Sequence, residues 1–190
     1  MTSQSQGPVA LNLEPAKLSP EMEAYFSKCV EKIGFVPNVL RAYAHDNAKL
    51  EAFSGFYNNL MLAPSGLSKL EREMIAVAVS AHNHCHYCIV AHGAAVRTLA
   101  GNAALGDVLG INYRAAALPD RQRIMLDFAV KMAKNSDEIV EQDRQLLRDA
   151  GFGDKDIWDI AAVAGFFSMS NRVASATGMQ PNPEYAAMGR

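Results

Sequence analysis

Residues 74–81 read MIAVAVSA, an apolar run in which Ser80 is the one polar member. A helix that is apolar on nearly every side has no face to give to water, so this element is expected deep in the interior. Its start is marked as well: Ser68 can cap it, and Glu71, three residues on, completes a capping box. Around it the apolar residues keep helical spacing. Ser19-Pro20 looks like an N-cap and first-turn proline, Met22, Phe26, Cys29 and Ile33 follow on one face, and Gly34 marks the stop. Further helices are expected over residues 48–62, 68–81, 85–99, 120–133, 137–150 and 154–176, with short helical stretches at 39–44 and 105–109. No β-branched run bounded by hairpin turns interrupts them. The fold expected is an all-α bundle of seven or eight helices forming a single domain over residues 19–183. Residues 1–18, with Pro8 and Pro15 opposing helix, read as an arm, and residues 184–190 as a tail.

The formal net charge of this 190-residue chain is only -2, with 18 Lys and Arg against 20 Asp and Glu. No clustered basic stripe points to nucleic acid or to an anionic membrane. Polar residues open the chain, no apolar run long enough for a signal peptide follows, and no membrane-spanning stretch exists. The compartment expected is the cytoplasm. Two of the three cysteines form one C-x-x-C, which in that setting indicates redox or metal chemistry rather than a structural staple.

That motif lies in His82-Asn83-His84-Cys85-His86-Tyr87-Cys88, with His92 four residues after the second cysteine. On one helix Cys85 and Cys88 are i,i+3 neighbours and Cys88 and His92 are i,i+4 neighbours, so two thiols and an imidazole share a face. A helix beginning near Asn83 or His84 puts Cys85 in its first turn, where unpaired N–H groups and the positive end of the helix dipole favour thiolate. Imidazole titrates near neutrality and can carry protons. A thiolate that attacks peroxide becomes a sulfenic acid, which a neighbouring thiol converts to a disulfide. Zinc is the competing reading, because three histidines crowd the motif. A tetrahedral site, however, draws ligands from separated segments, and ligands on one short helix cannot surround an ion. No metal and no cofactor are expected. Glu71 and Glu73 flank the apolar stripe Leu67, Leu70, Met74, Val77 and Ala81 on opposite sides, with Arg72 opposite it and solvated. Periodicity does not choose between the two glutamates.

At these residues the chain resembles the alkylhydroperoxidase D-like (AhpD-like) and carboxymuconolactone decarboxylase superfamily, and within it the peroxidase-related branch. The signature is a Glu, eleven residues, Cys-x-x-Cys, then a His four residues on, met here by Glu73, Cys85, Cys88 and His92. Gly34-Phe35-Val36-Pro37-Asn38 and Asn171-Arg172-Val173-Ala174 match flanking features of that branch. The resemblance singles out Glu73 over Glu71. It implies Cys88 as the peroxide-attacking thiol, Cys85 as the resolving one, Glu73 and His92 as the proton relay, and trimeric or hexameric assembly. Relatives often have His before the second cysteine; here that position is Tyr87, with His86 one earlier. Decarboxylase members generally lack the C-x-x-C, which disfavours lactone decarboxylation. The function expected is a peroxidase of the alkyl hydroperoxide reductase type, acting on a peroxide and regenerated by a dithiol the sequence does not name. The alternative is a redox sensor whose thiol pair switches without rapid turnover. Cys29 is expected as a small buried hydrophobe, Trp158, Phe166, Phe167, Met169 and Met179 as core or subunit contact, and His45 as a complement to a helix end.

Overall fold

The computed structural model describes residues 7–190; residues 1–6 of the expected arm lie outside them. Nine α-helices follow in order: α1 (Pro20–Ile33), α2 (Asn38–Tyr43), α3 (Asn47–Leu62), α4 (Lys69–His82), α5 (His86–Ala100), α6 (Ala103–Asn112), α7 (Asp120–Lys134), α8 (Glu141–Asp149) and α9 (Asp154–Ala176). Short 3₁₀ turns occur at Tyr113–Ala115, Ser136–Glu138 and Pro183–Ala186, and no strand is present among the described residues. The all-α expectation holds, with nine helices rather than seven or eight because the short α2 and α6 are complete helices.

The packing is organised by α4. Each of its residues between Glu71 and Ser80 is buried, and it packs against α5, α6, α7 and α9. Full burial of a Met, Ile or Val side chain contributes about 1.5–3 kcal/mol, so Met74, Ile75, Val77 and Val79 form the energetic centre of the bundle. Both halves of the Ser68–Glu71 capping box are formed, at 3.1 and 2.9 Å.

Several local expectations change. Residues 137–150 are not one helix: a 3₁₀ turn precedes β-branched Ile139 and Val140, and Asp143 accepts the Val140 N–H to start α8 afresh. Residues 110–112, beyond the helical stretch expected at 105–109, complete α6, whose first turn is capped by Asn102. Arg72 is not solvated. It is 3% exposed, and its guanidinium donates to the carbonyls of Leu60 and Ala63 at 3.0 and 2.8 Å. The side of α4 opposite the stripe faces the end of α3, whose last carbonyls lack helical partners and need such a donor. Trp158 is 76% exposed and Met169 is also exposed, whereas Phe166, Phe167 and Met179 are buried.

α5 and α6 cross closely, because a Cβ on Gly106 would stand only 2.8 Å from the Gly93 carbonyl oxygen. The chain ends wrap the bundle. Ala10 N–H donates to Thr177 O at 2.8 Å, Gln180 N–H to Pro8 O at 3.1 Å, and the buried Arg97 to the carbonyls of Met188 and Tyr185 at 2.9 and 2.8 Å.

Candidate active site

The site begins at the reversal between α4 and α5. α4 ends at His82, Asn83 is its C-cap, and His84 takes a left-handed conformation with φ 53°. A non-glycine residue there costs about 1–2 kcal/mol. The N–H groups of His84 and Cys85 are returned to Ala81 and Ser80 at 3.1 and 2.9 Å. Cys85 is therefore the N-cap of α5 rather than part of its first turn, and Cys88 sits in that turn. Both cysteines are reduced and buried, at 1 and 2% exposure.

This antiparallel pair brings Glu73 of α4 against His92 of α5, with Nδ1 and Oε2 2.6 Å apart. A carboxylate only accepts, so the imidazole donates from Nδ1, and Nε2 has no protein partner among the described residues. The ring of Phe167 meets the imidazole edge-on at 4.5 Å and fixes its plane. Glu71 is buried too, but elsewhere. It completes the α4 cap and pairs with Arg121 of α7, whose guanidinium lies 3.8 Å above the Phe152 ring. Of the two glutamates, Glu73 is the one beside the thiols' helix.

From α9, the carboxamide of Asn171 links three elements: it donates to Ser80 Oγ and accepts from Asn83 Nδ2, each at 2.9 Å. The same side chain reaches both sulfurs, with Ser175 beside Cys85 and Ser170 beside Cys88. The two thiols are joined by one hydrogen bond, and it shifts them in opposite directions. Cys85 is lowered from 9.0 to about 6, first by the hydrogen bond from the Cys88 thiol, then by the Cys88 backbone N–H, Ser175 and Asn171, against the opposing effect of burial. Cys88 moves the other way, held as a thiol by its bond to Cys85 and by burial. Of the two sulfurs, Cys85 is therefore the one whose surroundings favour the thiolate. Sequence reasoning quoted Asn171 as part of a matching segment but gave it no task; a buried asparagine inside a long apolar helix was the available signal.

Cys88, His92, Glu73 and Ser170 open into a cavity of about 490 Å³, and Cys85 lies behind its wall. Phe53, Tyr57, Phe166 and Phe167 supply aromatic walls, and α1 contributes Tyr25, Lys28, Cys29 and Lys32. Cys29 is thus a half-buried cavity residue rather than core, its thiol pushed up by partial burial. Tyr87 accepts the Val39 N–H at 3.0 Å and bonds with Tyr185, tying α2 and the chain end to α5. A separate groove of about 600 Å³, lined by His82, Tyr113, Asp127 and Lys131 among others, contains no thiol. His84 and His86 are exposed, and no group of three or more His, Cys, Asp or Glu among the described residues could hold a metal ion. His45 bonds the Ala42 carbonyl at 2.9 Å near the end of α2. No helix among the described residues is long and apolar enough to cross a membrane.

An all-helical bundle with a dithiol at a helix start, facing a carboxylate–imidazole pair, is the AhpD-like architecture. The chain belongs to the AhpD-like and carboxymuconolactone decarboxylase superfamily: the carboxymuconolactone decarboxylase family model matches residues 48–109, and full-length structural relatives carry the assignment. An uncharacterised peroxidase-related protein from Silicibacter sp. TM1040 is 59% identical, covers 100% of both chains and superposes with a TM-score of 0.95. A second such protein, described as an alkylhydroperoxidase AhpD core, from Ralstonia eutropha JMP134, is 44% identical over 98% of each chain, with a TM-score of 0.93. The debrominase Bmp8, solved with 2,3,4-tribromopyrrole, shares the fold at a TM-score of 0.76 with 17% identity, over 94% of this chain and 95% of its own. No curated protein sequence matches the chain.

Proposed function

We propose that the protein is a thiol-dependent peroxidase of the alkyl hydroperoxide reductase type. The observation that carries this reading is the division between the two thiols: Cys88 opens into the cavity beside His92 and Glu73, and Cys85 sits directly behind it. Cys88 first passes its proton to the Cys85 thiolate. Its sulfur then attacks the terminal peroxide oxygen, the O–O bond breaks, and the sulfur leaves as Cys88 sulfenic acid. The departing alkoxide takes a proton relayed by His92, whose ring Glu73 orients through the Nδ1 contact. Cys85, losing its proton again, attacks the sulfenic sulfur and expels water, leaving a Cys85–Cys88 disulfide. The net change is two thiols and one hydroperoxide to one disulfide, one alcohol and one water. An external dithiol then reduces the disulfide by exchange. Asn171, Ser170 and Ser175 hold the sulfurs in place and stabilise whichever carries charge. The protein is further proposed to act in the cytoplasm as a homo-oligomer, a trimer or hexamer, an assembly that would cover exposed apolar residues such as Trp158 and Ile111.

Turnover of organic hydroperoxides by the reduced protein, with a small dithiol as reductant, tests the reading. The oxidised product should contain one Cys85–Cys88 disulfide. Cys88→Ser should abolish peroxide consumption, and Cys85→Ser should trap sulfenic acid at Cys88. Wild-type turnover in both variants would overturn the proposal. A disulfide that forms without sustained turnover would indicate a redox switch instead.

A further inference from the structure

The cavity is chemically graded from floor to mouth. Its floor is polar, with Cys88, Ser170 and the Glu73–His92 pair; its walls are aromatic; and its lining also includes Lys28 and Lys32 of α1. Glu73 is the one acidic residue in that lining, and its carboxylate is occupied by His92. Neither lysine takes part in any ion pair among the described residues. Both lysines are exposed, on a protein of formal net charge -2, so the positive entrance is a local feature and not general basicity. Ile33 and Leu62, 40 and 52% exposed, belong to the same lining and leave apolar surface in water beside the two cations. Exposed apolar surface next to unpaired positive charge complements a molecule with an apolar chain and an anionic head.

We propose that the cavity binds anionic amphiphiles, and that the substrate is an organic hydroperoxide carrying a carboxylate. Lys28 and Lys32 hold the carboxylate, the chain lies along Phe53, Phe166 and Tyr57, and the peroxide group reaches Cys88. The volume, about 490 Å³, falls within the range of about 300–1,000 Å³ common for small-molecule sites. The substrate assignment rests on the peroxidase reading, but the binding preference does not, so the two can fail separately.

Calorimetry on the reduced, full-length protein at low salt, with decanoate and decanol as unreactive probes, tests the preference. Protection of Cys88 against alkylation reports whether a probe occupies the cavity. Decanoate should bind about tenfold more tightly than decanol and protect Cys88. Its advantage should shrink with added salt, vanish in Lys28→Gln/Lys32→Gln and return in Lys28→Arg/Lys32→Arg. Affinity should also rise about fourfold per methylene from octanoate to decanoate. Equal affinity for decanoate and decanol, an unchanged ratio in the glutamine variant, or binding without protection of Cys88 would each overturn the proposal. Turnover of a small neutral hydroperoxide by the wild type, measured separately, bears on the peroxidase reading alone.

Discussion

Glu71 and Glu73 stand two residues apart on α4 and are almost equally buried, at 5 and 7% exposure, yet they serve two different regions. At the start of the helix, Glu71 is consumed by the protein: Ser68 N–H takes one oxygen, and Arg121, stacked on Phe152, takes the other. On the cavity side, Glu73 is bonded to an imidazole whose second nitrogen has no hydrogen-bond partner among the described residues. Burial of a charge is common to both regions and therefore marks neither as functional. What separates them is where the chain of polar contacts ends, in a protein donor or in a space that can be filled.

Exchanging the two carboxylates for amides is the sharpest way to break that comparison. Glu73→Gln keeps the shape but removes the charge behind His92, and hydroperoxide turnover should fall on the order of 10²-fold while the melting temperature changes little. Glu71→Gln should do the reverse, leaving turnover within about threefold and costing about 2 kcal/mol in denaturant unfolding. That figure is below the usual range for breaking a buried ion pair, because Arg121 is more than a third exposed and can be rehydrated. A turnover loss from Glu71→Gln, with none from Glu73→Gln, would reverse the assignment of the two regions. The smallest effect concerns the hydrogen bond between the thiols. Cys85 is an acid whose value in the folded protein is lowered to about 6, so thiolate absorbance in the ultraviolet should appear as pH rises through about 6 and disappear as pH falls through it. In Cys88→Ala, which removes the largest cause of that lowering, the inflection should move upward. An inflection unmoved by Cys88→Ala would mean that the two sulfurs are not joined by a hydrogen bond.

The general shape of the molecule was readable from patterning: the apolar run of α4 sits in the interior, and the Ser19 and Ser68 caps start their helices. Spacing placed Cys88 and His92 on one face, and family resemblance selected Glu73. Periodicity had no power to do so, since it predicts the side of a helix and not the partner waiting there. On a helix packed on all sides each charge must find a specific partner, which is also why Arg72 was misassigned to solvent. The hydrogen bond between the thiols was equally invisible, because it depends on the left-handed turn at His84 that makes Cys85 the N-cap, and on Asn171 arriving from more than eighty residues away. The α1 face bearing Cys29 looked like ordinary core because an amphipathic helix that walls a cavity has the same periodicity as one that covers a core.

The cavity is built from parts held to the bundle to very different degrees. Its floor comes from α4, α5 and α9, each with several fully buried residues, whereas α1 has none, and Lys28 and Lys32 on it are exposed. Substitutions at such surface positions change folding stability by about 0.5 kcal/mol or less, and truncations in the core cost several times that. Heritable variation therefore meets little resistance at the entrance and strong resistance at the floor. Over many generations this architecture lets its range of accepted molecules drift while the reaction stays the same, so two descendants can come to act on different compounds with no change of scaffold.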